Sequence, residues 1–97
     1  VTHARIQVGT VLLDVRRKGN GLELIFHDGA KRLSEIIEID QVEYSGLCEP
    51  GHVLMRGSVE IAHDVFGNLN IFGVAEDEQS CRFSELEQAV AKLSGGA

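Results

Sequence analysis

Tryptophan is absent from this chain, tyrosine occurs once and phenylalanine four times. Proteins that grip single-stranded nucleic acid or sugars stack them on aromatic rings, so little is left here for that work. Two cysteines, Cys48 and Cys81, cannot build a disulfide framework. Free thiols in a reducing cytoplasm are the expectation, with a single disulfide the alternative. The one proline, Pro50, falls in a turn, Cys48-Glu49-Pro50-Gly51. No apolar run approaches the ~18–20 residues that span a bilayer. No segment reads as a secretory signal, a linker or a repeat.

Catalytic and nucleotide motifs are missing too. There is no G-x-G-x-x-G, no G-x-x-x-x-G-K-[ST] and no G-x-S-x-G around Ser34, Ser45, Ser58, Ser80 or Ser84. His3, His27, His52 and His63 stand in none of the local spacings that zinc sites use, with each other or with the cysteines. Rim histidines are the expectation, and neither cofactor nor metal is expected. His-Asp occurs twice, at 27–28 and 63–64, in strand ends where neighbouring side chains point to opposite faces; these read as turn residues. The acidic run Glu76-Asp77-Glu78 lacks the spacing of a calcium loop.

What is present is enough for one modest core. The chain has 97 residues, 43% of them hydrophobic, and its mean hydropathy is zero. A domain of this size, taken as residues 1–97, buries somewhat over ~60% of its unfolded surface. Its net charge of −6 hides a split. Up to Arg32, six basic residues (Arg5, Arg16, Arg17, Lys18, Lys31, Arg32) face three acidic ones; beyond it, three basic residues face twelve acidic ones. A surface with one positive face steers anionic or acidic partners. The overall charge argues against nucleic acid as the partner.

Period-two alternation dominates. Ala4-Ile6-Val8, Val11-Leu13-Val15 and Leu22-Leu24-Phe26 read as strands, the last two joined across Lys18-Gly19-Asn20-Gly21 by a hairpin. Ile37 and Ile39 continue the alternation, and Val42 and Tyr44 resume it after a bulge-like shift; a short helix over 33–41 is the alternative. A further hairpin pairs Val59, Ile61, His63 and Val65 with Leu69, Ile71 and Gly73 across Phe66-Gly67-Asn68, and a short strand ends near Phe83. Phe26, Phe66, Phe72 and Phe83 fit core or turn positions. Ser84-Glu85-Leu86-Glu87 reads as a capping box opening a helix over 84–94, with Leu86, Ala89, Val90 and Leu93 as its apolar stripe and Gly95 as its stop.

The expected fold is mainly β: six or seven short antiparallel strands in a bent sheet or barrel, capped by one C-terminal helix. That element order resembles the pleckstrin-homology-like fold, with a small SH3-like barrel or an α+β roll as the alternatives. The helix lacks that family's tryptophan and the hairpin lacks its full lipid-binding pattern. In that family the first hairpin often contacts phosphoinositides, which the resemblance would place on Arg16, Arg17 and Lys18. Residues 22–29 are also similar to a strand-turn segment of the N-terminal domain of gamma-butyrobetaine hydroxylase-like proteins; eight residues carry no function across.

Three functions fit. A non-catalytic interaction domain would bind a protein partner, or a second copy of itself, through a sheet edge or the helix groove, with Leu12 and Ile25 exposed. An anion- or phosphoinositide-binding module would use Arg16, Arg17 and Lys18, with Lys31 and Arg32 following the returning strand. A small metal-dependent protein or enzyme would use the histidines.

Overall fold

The structure, a computed structural model, describes residues 1–29 and 33–93. Eight strands and two helices follow in order: β1 (His3–Val8), β2 (Val11–Lys18), β3 (Gly21–Asp28), β4 (Leu33–Ile39), α1 (Gln41–Leu47), β5 (Val53–Arg56), β6 (Val59–His63), β7 (Asn68–Phe72), β8 (Gln79–Arg82) and α2 (Phe83–Lys92). The strands form two four-stranded antiparallel meanders, β1-β2-β3-β4 and β5-β6-β7-β8. The mainly β expectation with a C-terminal helix stands, but with eight strands in two separate sheets rather than six or seven in one bent sheet or closed barrel.

Alternation does what period-two patterning dictates. Val11, Leu13 and Val15 are buried, and so are Leu22, Leu24 and Phe26. In the second sheet Val59, Ile61, Leu69 and Ile71 are buried in the same way. Both sets belong to one apolar cluster, which Leu47 of α1 and Phe83, Leu86 and Val90 of α2 complete. Each fully buried side chain of this kind contributes about 1.5–3 kcal/mol by leaving water. α2 lies mainly along β1 and also touches β2 and β8, so its stripe closes the core between the sheets. A buried glutamine joins the two: Gln79 Oε1 of β8 accepts from Thr10 N (2.7 Å) and Thr10 Oγ (2.9 Å) in the β1–β2 turn. Gly9 makes this approach possible. Its φ is +61°, and a Cβ there would meet Gln79 Oε1 at 2.2 Å.

Four expectations need correcting. The alternation at 33–44 ends at Ile39, and Val42 and Tyr44 lie in α1. The reason is a capping box: Glu43 N donates to Asp40 Oδ1 (2.7 Å), and Asp40 N donates to Glu43 Oε1 (2.9 Å). That reciprocal pair, together with burial of Leu47, outweighs the β-branched content. Second, β5 was not anticipated; only Leu54 of its four residues is buried, so the segment carries too short an alternation to declare itself. Third, the last helix begins at Phe83 and ends at Lys92, not 84–94, and Gly95 lies outside the described residues. Its first turn is closed by Glu85, whose carboxylate accepts from Arg82 N at 3.2 Å, and Ser84 sits inside the helix. Fourth, Val65 is not part of the strand before it: β6 stops at His63.

Candidate functional site

Three surfaces bear on function, and the basic hairpin is the first. The β2–β3 hairpin forms as expected, with Lys18 opposite Gly21. Register places Arg16, Glu23 and Glu38 side by side across β2, β3 and β4. Arg16 Nε pairs with Glu23, and Lys18 Nζ pairs with Glu38 and approaches Glu23 Oε2 at 3.6 Å. Glu23 is only 4% exposed, roofed by these cations. The Arg16 guanidinium, more than the opposing cost of burial, holds its carboxyl below the usual carboxylate range. Two of the three hairpin cations are therefore neutralised by their own sheet. Lys31 and Arg32 lie outside the described residues. Arg17 is different: alternation turns it to the opposite face, and it makes no hydrogen bond or ion pair among the described residues.

The rest of that outer face is also closed by polar pairs. Arg5 Nε donates to Asp14 Oδ1 at 2.7 Å, and its second nitrogen reaches Oδ2 at 3.2 Å. Asp14 Oδ2 also meets His27 Nε2 at 3.0 Å, and His27 Nδ1 meets Ser34 Oγ at 3.0 Å. Arg5 in first place keeps the Asp14 carboxyl below its ordinary range. The Asp14–His27–Ser34 chain has the composition of a nucleophilic triad, but Ser34 and much of His27 stand open to water. The chain also links β2, β3 and β4 as cross-strand pairing. Leu12 and Ile25, expected to be exposed, are half-buried, while Ile36 is exposed.

Beside the first hairpin runs a cleft of about 350 Å³ between its tip, α1 and α2. Arg17, Asn20 and Gln41 line its rim, and Leu22, Tyr44 and Val90 its floor. Tyr44 is half-buried and its hydroxyl lies near Cys48. Burial pushes both groups above their ordinary ranges, so neither is a ready nucleophile. Cys81 is likewise pushed up, to about 11, by burial. Both thiols are free.

The third surface is the β6–β7 turn. The chain there is held from all sides. Asp64 Oδ1 accepts from Phe66 N and Asn68 N, each at 2.9 Å; Oδ2 accepts from Asn68 Nδ2 (3.2 Å) and Asn70 Nδ2 (2.9 Å). The Asn68 amide in first place, then Asn70, depress the Asp64 carboxyl to about 2. Phe83 N donates to Gly67 O (2.9 Å), and the Arg82 guanidinium donates to Phe66 O (3.1 Å). Beneath the turn, His63 is buried rather than on the rim, correcting the expectation. Its Nδ1 donates to Leu47 O at 2.9 Å, and its ring lies parallel to Phe83 with centroids 4.0 Å apart.

This braced turn holds Val65 and Phe66 out in water, 73% and 77% exposed. Phe66 was expected at a core or turn position; it is a turn residue, and nothing among the described residues covers it. The outer face of the second sheet also exposes Val53, Met55 and Phe72, with Met55 and Phe72 in register with Glu60 toward the far end of β6. The signal for this surface was in the sequence: Asp64 with Asn68 and Asn70 is a set of side chains suited to capping a turn around an aromatic residue. Edge strand β5 is guarded, because Arg56 donates to the Met55 carbonyl and pairs with Glu43.

Among the described residues no group of three or more His, Cys, Asp or Glu side chains is placed to hold a metal ion. No helix among them is long and apolar enough to cross a membrane. Comparisons with family models, with curated proteins and with solved structures find no match for this chain.

Proposed function

We propose that this is a non-catalytic recognition domain that binds a protein partner through the Val65–Phe66 turn. The braced turn carries the reading. A flexible loop would lose conformational freedom on binding, at about 0.5–1.5 kcal/mol for each mobile side chain fixed. Here hydrogen bonds to Asp64 and from Arg82 and Phe83 hold the backbone before any partner arrives. An aromatic ring on a rigid support, bared to water, is the kind of group that anchors interfaces by filling an apolar pocket. An anionic membrane is the poorer fit, since the chain beyond Arg32 carries nine more negative than positive charges. The order of strands closed by a final helix, which resembles that of pleckstrin-homology-like domains, agrees with a recognition role.

Replacing Phe66 by a photo-crosslinking phenylalanine analogue in the native cell tests this. One discrete adduct is expected, competed away by the unlabelled protein and lost when Asp64→Ala releases the turn. An adduct pattern identical to that from the exposed α2 position Gln88 would overturn the proposal.

A further inference from the structure

The cleft beside the first hairpin has a chemistry of its own, independent of the apolar turn. The turn adjoins the start of α2, where Gly67 O accepts from Phe83 N, whereas Val90, which floors the cleft, lies in the last turns of that helix. We propose that this cleft binds a carboxylate carried on a compact apolar body, with Arg17 as the group that grips it.

Each feature narrows the ligand. Arg17 is the hairpin cation that the sheet leaves without an acid, and a guanidinium presents parallel N–H donors that match a carboxylate. Asn20 and Gln41, whose side chains likewise have no hydrogen-bond partner among the described residues, add amide donors on the same rim. Leu22, the Tyr44 ring and Val90 offer an apolar floor, so the anion should carry a hydrocarbon portion. A volume of about 350 Å³ is at the small end of ligand sites and suits an acid with few heavy atoms. Gly21 lets the hairpin close against the start of α1: a Cβ there would meet Ile39 O at 2.2 Å.

Charge selects carboxylate over phosphate. Among the described residues one uncommitted cation, Arg17, lines the cleft, and Glu87 lies close enough to Tyr44 and Cys48 to act on both electrostatically. Lys18, on the far side of the hairpin, is engaged by Glu38 and Glu23. A singly charged anion fits that balance, and a multiply charged phosphate meets uncompensated repulsion. The same carboxylate chemistry is offered by a free small acid and by the C-terminus of a peptide chain.

Titration followed by ¹⁵N–¹H NMR separates these cases. The probes are N-acetyl-leucine, its amide, an acetylated tripeptide ending in leucine, and inorganic phosphate. The free acid is expected to shift Arg17, Gly19 to Leu22, Gln41 and Tyr44 saturably below about 10 mM. The amide should bind about tenfold or more weakly, and phosphate should bind no better than the amide. Tighter binding of the tripeptide would identify a chain terminus as the source; tighter binding of N-acetyl-leucine would identify a small acid. Arg17→Gln should weaken the acid about tenfold while leaving the melting temperature unchanged, because the Arg17 side chain makes no bond within the described protein. The proposal is overturned if acid and amide bind alike, if phosphate binds best, or if Arg17→Gln binds as the parent does.

Discussion

The two hairpin tips of this molecule are opposites. The β2–β3 tip is rich in charge, and its Arg16 and Lys18 are spent on Glu23 and Glu38 of their own sheet. The β6–β7 tip carries Val65 and Phe66, and its polar groups are spent on holding them out. A surface is available for binding to the extent that the fold leaves it unsatisfied, and counting charges along a sequence does not measure that. The charged tip looked like a site and is largely self-neutralised, while the apolar tip looked like ordinary packing and is uncovered.

The comparison can be broken hardest from below. The second tip is rigid because His63 and Phe83 stack beneath it and Phe83 N holds Gly67 O. Phe83→Ala removes a side chain that is 2% exposed and should cost about 3–5 kcal/mol of folding stability, read by urea denaturation. Hydrogen exchange should show protection falling at Phe66 N and Asn68 N more than at the β2–β3 turn. Equal loss at both tips would mean that the brace is not local.

Acid offers a second way in. The Asp64 carboxyl sits near 2 in the folded chain against an ordinary value of 3.8, because the Asn68 amide and then the Asn70 side chain donate to its charged form. A depressed folded value means that the contribution is fully present above about pH 4 and is lost as the pH falls toward about 2. Asp14 and Glu23 are depressed as well and add to the same acid slope. Asp64→Asn should therefore lower stability at neutral pH and flatten, without abolishing, the decline between pH 4 and 2. Denaturant midpoints measured across that range check the sign; an unchanged slope would remove Asp64 from the brace.

Much of this was legible in the sequence, for reasons that differ by element. Strands β1 to β3, β6 and β7 announce themselves because one face is buried and alternation is forced. The stripe Leu86, Ala89, Val90 and Leu93 did the same for α2. Helix α1 was hidden: Asp40 and Glu43 form its cap, but they follow directly on the alternation of β4, and Val42 and Tyr44 resume that alternation after a one-residue shift. The neutralisation of Arg16 and Lys18 could not be read from local spacing. Glu38 lies twenty residues from Lys18, and only the registers of β2 with β3 and of β3 with β4 bring the two together. Phe66 failed for the converse reason, since nothing local separates an aromatic residue that packs inward from one the turn holds outward.

The charged tip can be turned into what it resembles. Glu23→Ala with Glu38→Ala frees Arg16 and Lys18 on one face. Inorganic phosphate should then bind the tip about tenfold more tightly than it binds the parent, with the gain fading as salt rises. Amide shifts at residues 16–21 report it. No gain in affinity would show that pairing with these acids is not what closes the tip.

The smallest expected effect on stability is the most telling for function. Phe66→Ala deletes a ring that is 77% exposed and stands outside the buried core of the described residues, so stability should change by no more than about 0.5 kcal/mol. Its backbone bonds to Asp64 and Arg82 survive the substitution, and the turn should keep its hydrogen-exchange protection. Partner binding should nevertheless fall sharply, by about 2 kcal/mol or more if the ring fills a pocket as interface anchors do. A variant that folds like the parent and loses the Val65–Phe66 contact separates recognition from structure, which Phe83→Ala cannot do. If instead Phe66→Ala lowered stability as Phe83→Ala does, the ring would belong to the core and the contrast between the two tips would collapse.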